Sequence, residues 1–321
     1  MWIDDPTFKD CVNNSWNKWT GPGTPQFVFY TKLKRLKHDL IAWNKNVFGS
    51  LSLRVSNAEK DLLNVENTLD NGLPIEPPTK LLDAKVKFHN ALLAEESFWR
   101  QKSRISWLKE GERNTSFFHT STKVRHATNR IHSLKIGPTI TSDEKEIKDA
   151  ILNHFVSSYE ATHSPIDIKL LDVVPKIITP HDNALLLAIP SKAEIESITF
   201  SLKSSSAPGP DGFSGYFYHA CWDIIQDDLV LAIQDFFRDR QILKAANTTF
   251  LALIPKCPHP NLVKDFRPIS LCNLWYKIMS KIIARRMATL LDKLILPQQV
   301  AYVPGRSFLT TFAWPMNLLI G

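Results

Sequence analysis

Two long runs of helical periodicity, separated by a segment that no helix can cross, set the first constraint on this chain. From Val28 onward, Leu33, Leu36, Leu40 and Trp43 recur at helical spacing, with Lys32, Lys34, Arg35 and Lys37 between them. Gly49 and Ser50 interrupt the pattern, and Leu51, Val55, Ala58, Leu62, Val65 and Leu69 resume it. The stretch "DNGLPIEPP" at residues 70–78 holds an Asn-Gly pair and three prolines, which is turn chemistry. A second run follows, with Leu81, Leu82, Val86, Leu92, Leu93 and then Phe98 to Leu108. Two amphipathic runs joined by a short loop predict a long antiparallel helical hairpin. The fold class expected is mainly α with some β (α+β).

Shorter signals follow the hairpin. Asn114, Thr115 and Ser116 read as helix caps before Phe117 and Phe118. Residues 131–141 alternate weakly around Gly137-Pro138 and predict a strand pair, and residues 143–160 predict a helix with Ile147, Ile151 and Phe155 on one side. A proline-containing linker at 164–190 leads to a helix near Lys192–Leu202. In "SSSAPGPDGFSGYFY" (204–218), prolines, glycines and Asp211 predict a tight, rigid loop. A helix through Leu229–Arg240 follows, then a strand in "TTFLALIPK" (248–256), then a helix from about Leu274 to Ile295. Residues 1–26, rich in Trp, Pro and Gly, read as irregular.

Charge is segregated along the chain. The formal net charge of +7 permits a polyanionic partner without demanding one. Trp99–Arg130 carries a net charge of +6, Ile136–Pro255 a net of −7, and Lys256–Lys293 again a net of +6. Two basic blocks flanking an acidic one are the pattern of a nucleic-acid binder, or of two solvated faces. In the last helix, Lys277, Lys281 and Arg285 fall at i, i+4 and i+8, and Arg286 adjoins them. Cations at that spacing repel one another by a few tenths of a kcal/mol per pair. A polyanion lying alongside would turn the cost into a gain through counterion release, while a solvated face would leave it as it is. Upstream, Lys256 closes the predicted strand, and Arg267 stands before Pro268, which biases it toward extended backbone. Joined by a short loop, the two cations could be aimed at one point, Arg as a bidentate phosphate ligand and Lys as a point charge.

Several classes are disfavoured. Cys11, Cys221, Cys257 and Cys272 form no Cys-x-x-Cys pair, so the pattern suits a reducing compartment, and Cys257 with His259 lacks the second ligand pair of a zinc site. His119, His126 and His132 have no ligand spacing. No stretch approaches the roughly 18 apolar residues of a membrane span, and "MWIDDPTFKD" has no secretory-signal core.

The strings "SSSAPGPDGF", "ALIPK", "FRPISLCNLWYKIMSKIIARRM" and "QQVAYVPGRS" stand in the order found in reverse transcriptases of plant non-LTR (LINE-type) retrotransposons. "FWRQKSRISWLKEGERNTSFFH" resembles the linker that precedes that polymerase, and "MWIDDPTFKDCVNNSW" the segment after an endonuclease domain. The resemblance implies an irregular segment at 1–27, a helical linker at 28–135, a connecting region at 136–190, and the N-terminal part of a right-hand polymerase, fingers and palm start, at 191–321. It implies an RNA template, a DNA primer, a deoxynucleoside triphosphate and Mg²⁺ as partners, and nuclear action; the sequence itself reads as intracellular with no membrane partner and leaves nucleus or cytoplasm open. It places Lys256, Arg267 and Arg306 near nucleotide or template, and leaves Lys277, Lys281, Arg285 and Arg286 for the nucleic-acid backbone.

The same resemblance requires metal-holding aspartates that these residues lack. One belongs on the palm strand that follows "PGRS" and a pair belongs in an aromatic-Ala-Asp-Asp turn further on, and neither occurs in these residues; the family also continues after "PGRS" with an Asp-Asn pair, where Thr310 and Thr311 stand here. "WIDD" at 2–5 has no preceding strand, and Asp227-Asp228 sits in a helical pattern. Three readings stay open: a reverse-transcriptase portion inactive on its own, a non-catalytic RNA- or DNA-binding fragment, or a decayed reading frame.

Overall fold

The computed structural model describes residues 2–3, 5–47, 49–71, 79–103, 115–160, 175–296, 299, 303 and 305–306. The predicted cap Asn114, the second helical run beyond Ser103, most of the 70–78 loop, the linker at 164–174 and the Thr310-Thr311 tail lie outside the described residues. Among the described residues the elements are α1 (Pro6–Trp16), α2 (Pro25–Val47), α3 (Leu51–Asp70), α4 (Lys80–Ser103), α5 (Thr115–Asn129), β1 (Leu134–Ile136), β2 (Thr139–Thr141) and α6 (Glu144–Tyr159). They continue with α7 (Pro180–Leu187), α8 (Lys192–Ser201), α9 (Gly215–Ala220), α10 (Trp222–Asp239), β3 (Thr249–Pro255), β4 (Phe266–Cys272), α11 (Leu274–Ala288) and α12 (Leu291–Leu294). The α+β expectation holds: helices dominate, with β1 paired to β2 and β3 paired to β4 in two-stranded sheets. Among the described residues no helix is long and apolar enough to cross a membrane.

The chain divides into two units, and α2 and the β3–β4 ribbon are each shared between them. The first unit comprises Met1–Lys18, Arg35–Ser158 and Ala252–Ile269. Its opening residues are not irregular. Asp5 caps α1 by accepting the Thr7 N–H at 2.9 Å, Pro6 occupies the first helical turn, and Phe8, Val12 and Trp16 are buried at intervals of four. Three apolar residues at that spacing are enough to bury one face, although the residues between them are polar. The "WIDD" string thereby has a structural use. Trp2 donates its indole N–H to Asn44 Oδ1 at 2.8 Å, and Asp5 is a helix cap.

The predicted hairpin is present in the same unit. The last turns of α3 (Asp61, Asn64, Val65, Thr68) lie across a cleft from the first turns of α4 (Lys80, Asp83, Ala84, Lys87), so the helices run antiparallel. Val55, Val65, Ala84 and Ala91 form the buried seam, small residues on α4 allowing close approach. The expected strand pair also forms, antiparallel, with Leu134 opposite Thr141 and Ile136 opposite Thr139. Gly137 has φ of 59°, which a turn of this kind requires and a side chain would disfavour. A compact cluster then gathers Leu134, Ile147 and Phe266, with Ile131, Ile151, Leu253 and Val263 against it. The cluster fixes the loop end of the β3–β4 ribbon against β1 and α6, and the Lys135 N–H adds a hydrogen bond to the Asn261 carbonyl at 2.7 Å.

The second unit comprises Trp19–Lys34, Tyr159–Leu251 and Ser270–Gly321. Here α2 begins at Pro25, earlier than the periodicity suggests, because Thr24 caps it and proline is preorganised for the first turn. Phe29 and Leu33 from α2 join Ile195, Ile198, Ile225, Leu229, Ile233, Leu274, Trp275, Ile278 and Ile282 in a fully buried core. Phe29 meets Trp275 edge-on at 5.5 Å between ring centres. The stretch at 164–190 is not all linker, since Thr179 and Asp182 form a capping box that starts α7. The final helix is shorter than expected. It caps at Thr289, and Leu290 turns the chain into the single turn of α12.

Candidate nucleic-acid interface

In the second unit, α11 and the loop at 203–214 form one locked assembly. Gly209 crosses the end of β4 so closely that a β-carbon there would lie 2.4 Å from the Asn273 backbone nitrogen and 2.5 Å from the Cys272 carbonyl carbon. Asn273 sits at the N-cap of α11 but makes no capping bond with its side chain. Its Oδ1 accepts the Asp211 N–H at 3.0 Å, and its Nδ2 donates to the Ala245 and Ala246 carbonyls at 3.1 and 3.2 Å. One buried amide thus ties the 203–214 loop and the Ala245–Ala246 turn to the start of α11 through their main-chain groups. Asp211 uses Oδ1 to hold the Phe213 N–H at 3.0 Å, an Asx turn. The neighbouring Tyr218 phenol is fully buried, and burial followed by the Asp211 charge pushes its pKa well above the usual value.

This assembly sorts the predicted cations. Lys277 donates from Nζ to the Ala207 carbonyl at 3.3 Å, so it steadies the loop from the first turns of α11. Lys281, one turn on, is exposed and has no ion pair or hydrogen bond among the described residues. Arg285 is exposed and donates from Nη1 to Ser197 Oγ at 3.2 Å, a neutral partner. Among the described residues, Lys281 and Arg285 therefore present adjacent charge to solvent with no ion pair.

Arg286 requires a correction. Its guanidinium pairs bidentately with Glu194, Nε to Oε1 at 3.0 Å and Nη2 to Oε2 at 2.7 Å, and also donates to the Leu186 and Ala188 carbonyls. Only 13% of that side chain is exposed. Its donors are committed to joining α11 to α8 and to the end of α7, not to a phosphate. Arg306 requires the same correction. It donates to the Ile295, Leu296 and Gln299 carbonyls and pairs with Asp292 at 3.1 Å, which closes the chain after α12 on itself.

In the first unit, the Lys256 N–H donates to the Asp265 carbonyl at 2.7 Å, and Lys256 Nζ donates to the Lys264 carbonyl at 2.6 Å. Asp265 closes the same loop by accepting the Leu262 and Asn261 N–H groups, which hold its carboxyl below the usual carboxylate range. Lys256 is therefore a loop fastener as well as a cation. Arg267 lies on β4 in the extended backbone that Pro268 predicts, exposed and without an ion pair among the described residues. Lys256 and Arg267 share the loop end of one ribbon.

The carboxylates that could be asked to hold Mg²⁺ have other partners. Asp228 pairs with Lys32 at 2.7 Å, Asp227 pairs with Lys192 at 3.1 Å, and Asp211 caps its own turn. Among the described residues there is no group of three His, Cys, Asp or Glu that could hold a metal ion. Sequence reasoning passed over Asn273. A polar residue immediately before an apolar helical run signals a cap, but its partners on Ala245, Ala246 and Asp211 are brought together only by tertiary structure.

No family model matches the chain. The chain is similar to the "Transposon TX1 uncharacterized 149 kDa protein" of Xenopus laevis, with 23% identity over 95% of its own length. It spans about a quarter (24%) of that relative. The similarity supports a transposon-derived origin for this sequence.

Proposed function

We propose that this chain is the linker-and-fingers portion of a LINE-type reverse transcriptase polyprotein, and that its own activity is to bind nucleic acid rather than to polymerise it. The observation that carries the proposal is the pair of exposed cations Lys281 and Arg285 on α11, held beside a loop that Gly209 and Asn273 lock in place. The ordered polymerase-like motifs around them, and the similarity to a transposon protein, favour a polynucleotide over other polyanions. RNA template and DNA primer are the partners proposed for this surface, with Arg267 on the β3–β4 ribbon as a further phosphate ligand in the first unit. The deoxynucleoside triphosphate and Mg²⁺ are assigned to the complete polymerase, since Asp211, Asp227 and Asp228 are engaged elsewhere.

Two measurements test the reading. The purified chain, given a primed RNA template, nucleotides and Mg²⁺, should extend no primer; measurable synthesis would overturn the non-catalytic part. Its affinity for single-stranded RNA should fall steeply with salt, and Lys281→Gln with Arg285→Gln should reduce the logarithmic salt slope by about 0.7 for each phosphate no longer neutralised. A slope unchanged by both substitutions would refute the α11 surface.

A further inference from the structure

The first basic block of the sequence folds into a cavity that the surface on α11 does not involve. It measures about 500 Å³ and is lined by Lys102, Thr122, Arg125, His126, Asn129, Arg130 and Glu144. Thr122, Arg125, His126 and Asn129 fall at i, i+3, i+4 and i+7 of α5, so one helical face supplies most of the lining. Lys102 enters from the last turn of α4, Arg130 follows α5, and Glu144 opens α6. All lie in the first unit.

Three permanent cations face one carboxylate, and that carboxylate is already engaged. Glu144 pairs with Lys148 at 2.7 Å, and this hydrogen bond, with the lysine's charge, holds its pKa below the usual range. Lys102, Arg125 and Arg130 form no ion pair among the described residues. Two of them are nonetheless oriented. Arg125 donates from Nη1 to the Ser103 carbonyl, leaving its other N–H groups for a further acceptor. Lys102 lies over the Phe98 and Trp99 rings at 5.3 and 5.0 Å, which restrains its stem, and the residue is exposed. The carbonyl ends of α4 and α5 favour positive charge nearby by about 0.3–1 kcal/mol each, which offsets the few tenths of a kcal/mol by which each pair of cations repels, so the three charges can stand together ready for an anion.

We propose that this cavity is a second phosphate-binding site, and that it takes the phosphodiester backbone of a single-stranded nucleic acid. Arginine matches the oxygens of a phosphate in pairs, lysine adds a point charge, and the Asn129 amide can donate to a bridging oxygen. A polynucleotide can place successive phosphates against Lys102 and Arg130, which a single anion cannot. The proposal does not depend on the surface on α11.

The test uses the full chain in a Lys281→Gln, Arg285→Gln background, so that the two surfaces succeed or fail separately. Binding of a labelled single-stranded oligonucleotide is followed by anisotropy across a salt series, with and without Lys102→Gln and Arg130→Gln. All these side chains are exposed, and thermal melts of each variant check folding. The expected result is an affinity reduced about tenfold and a fall of about 1.4 in the logarithmic salt slope, two phosphates at 0.7 each. Lys102→Arg with Arg130→Lys, which keeps the charges, should retain most binding. Failure of inorganic phosphate to compete at low millimolar concentration supports recognition of the strand, and competition by it at that concentration would overturn the polynucleotide assignment. Unchanged affinity and slope in the folded glutamine variant would overturn it. So would competition by poly-glutamate as effective as that by the oligonucleotide.

Discussion

The backbone nitrogen of Asn273 occupies the space that any side chain on residue 209 would need. Alanine at 209 would bring its β-carbon to 2.4 Å from that nitrogen, and the obstacle is main chain, which cannot swing aside. Gly209→Ala should therefore destabilise the second unit by more than about 2 kcal/mol, the scale of a severe steric substitution. Chemical denaturation monitored by tryptophan fluorescence checks it. A melting midpoint equal to that of the parent would mean that the loop does not approach the strand end as described.

Asn273→Ala should cost about as much for a different reason. It leaves the Asp211 N–H and the Ala245 and Ala246 carbonyls without their side-chain partner, each hydrogen bond being worth about 1 kcal/mol. The double variant with Gly209→Ala should cost less than the sum of the two, because both disrupt the same junction. Full additivity would show the two residues to be independent.

Arg286 and Lys281 are both basic residues of α11, and they should respond in opposite ways. Arg286→Ala breaks a partly buried bidentate pair with Glu194, and should lower stability by about 1–3 kcal/mol while leaving the salt dependence of RNA binding in place. Lys281→Gln should leave stability within about 0.5 kcal/mol of the parent, as exposed substitutions generally do, and weaken RNA binding. Paired denaturation and binding curves for the two variants make the comparison. Equal drops in stability would contradict the division of roles.

Acid should unpick the start of α7. Hydrogen bonds from the Thr179 N–H and hydroxyl, then Lys293, hold Asp182 at a pKa of about 2 against the ordinary 3.8. The folded-state pKa is depressed, so the contribution to stability is whole above the unfolded value and is lost as pH falls through about 2. The stability difference between the parent and Asp182→Asn should be constant at neutral pH and shrink between pH 4 and about 2. Denaturation curves at several pH values read it directly, and a difference that does not shrink would be the contrary result.

Arg240 caps α10 with φ of 56°, the left-handed region that glycine adopts freely. Arg240→Gly should stabilise the protein by about 1 kcal/mol, a rise of a few degrees in melting temperature for a domain of this size. A fall would indicate that the arginine side chain contributes more than its backbone costs.

The parts of the fold that were legible in the sequence are those written in local pattern. The α3–α4 hairpin follows from two periodic runs and a proline-rich break, and the β1–β2 pair from Gly137-Pro138 between alternating residues. Helix α1 was missed because Phe8, Val12 and Trp16 are scattered among polar neighbours, so that only their spacing and the Asp5 cap declare it. The candidate site was legible as charge and not as geometry. Lys281 and Arg285 kept the exposure that their row on α11 implied. Arg286, at the adjacent position, did not, because its partner Glu194 is 92 residues away and no local pattern announces the pair. Lys256 was visible as a cation near a turn, but its bond to the Lys264 carbonyl depends on the loop closing first.

The bond between Asp211 and Asn273 spans 62 positions, and this sets an order of events during folding. Closing a loop of that length costs about 4 kcal/mol of chain entropy before any interaction repays it. The lock should therefore form late, after α10 and α11 have already gathered their apolar faces. Substitutions at Gly209 and Asn273 should then act mainly by hastening unfolding, with little change in the rate of folding. On this reading, the Gly209–Asn273 junction is a latch that closes last and sets how long the folded second unit persists once formed.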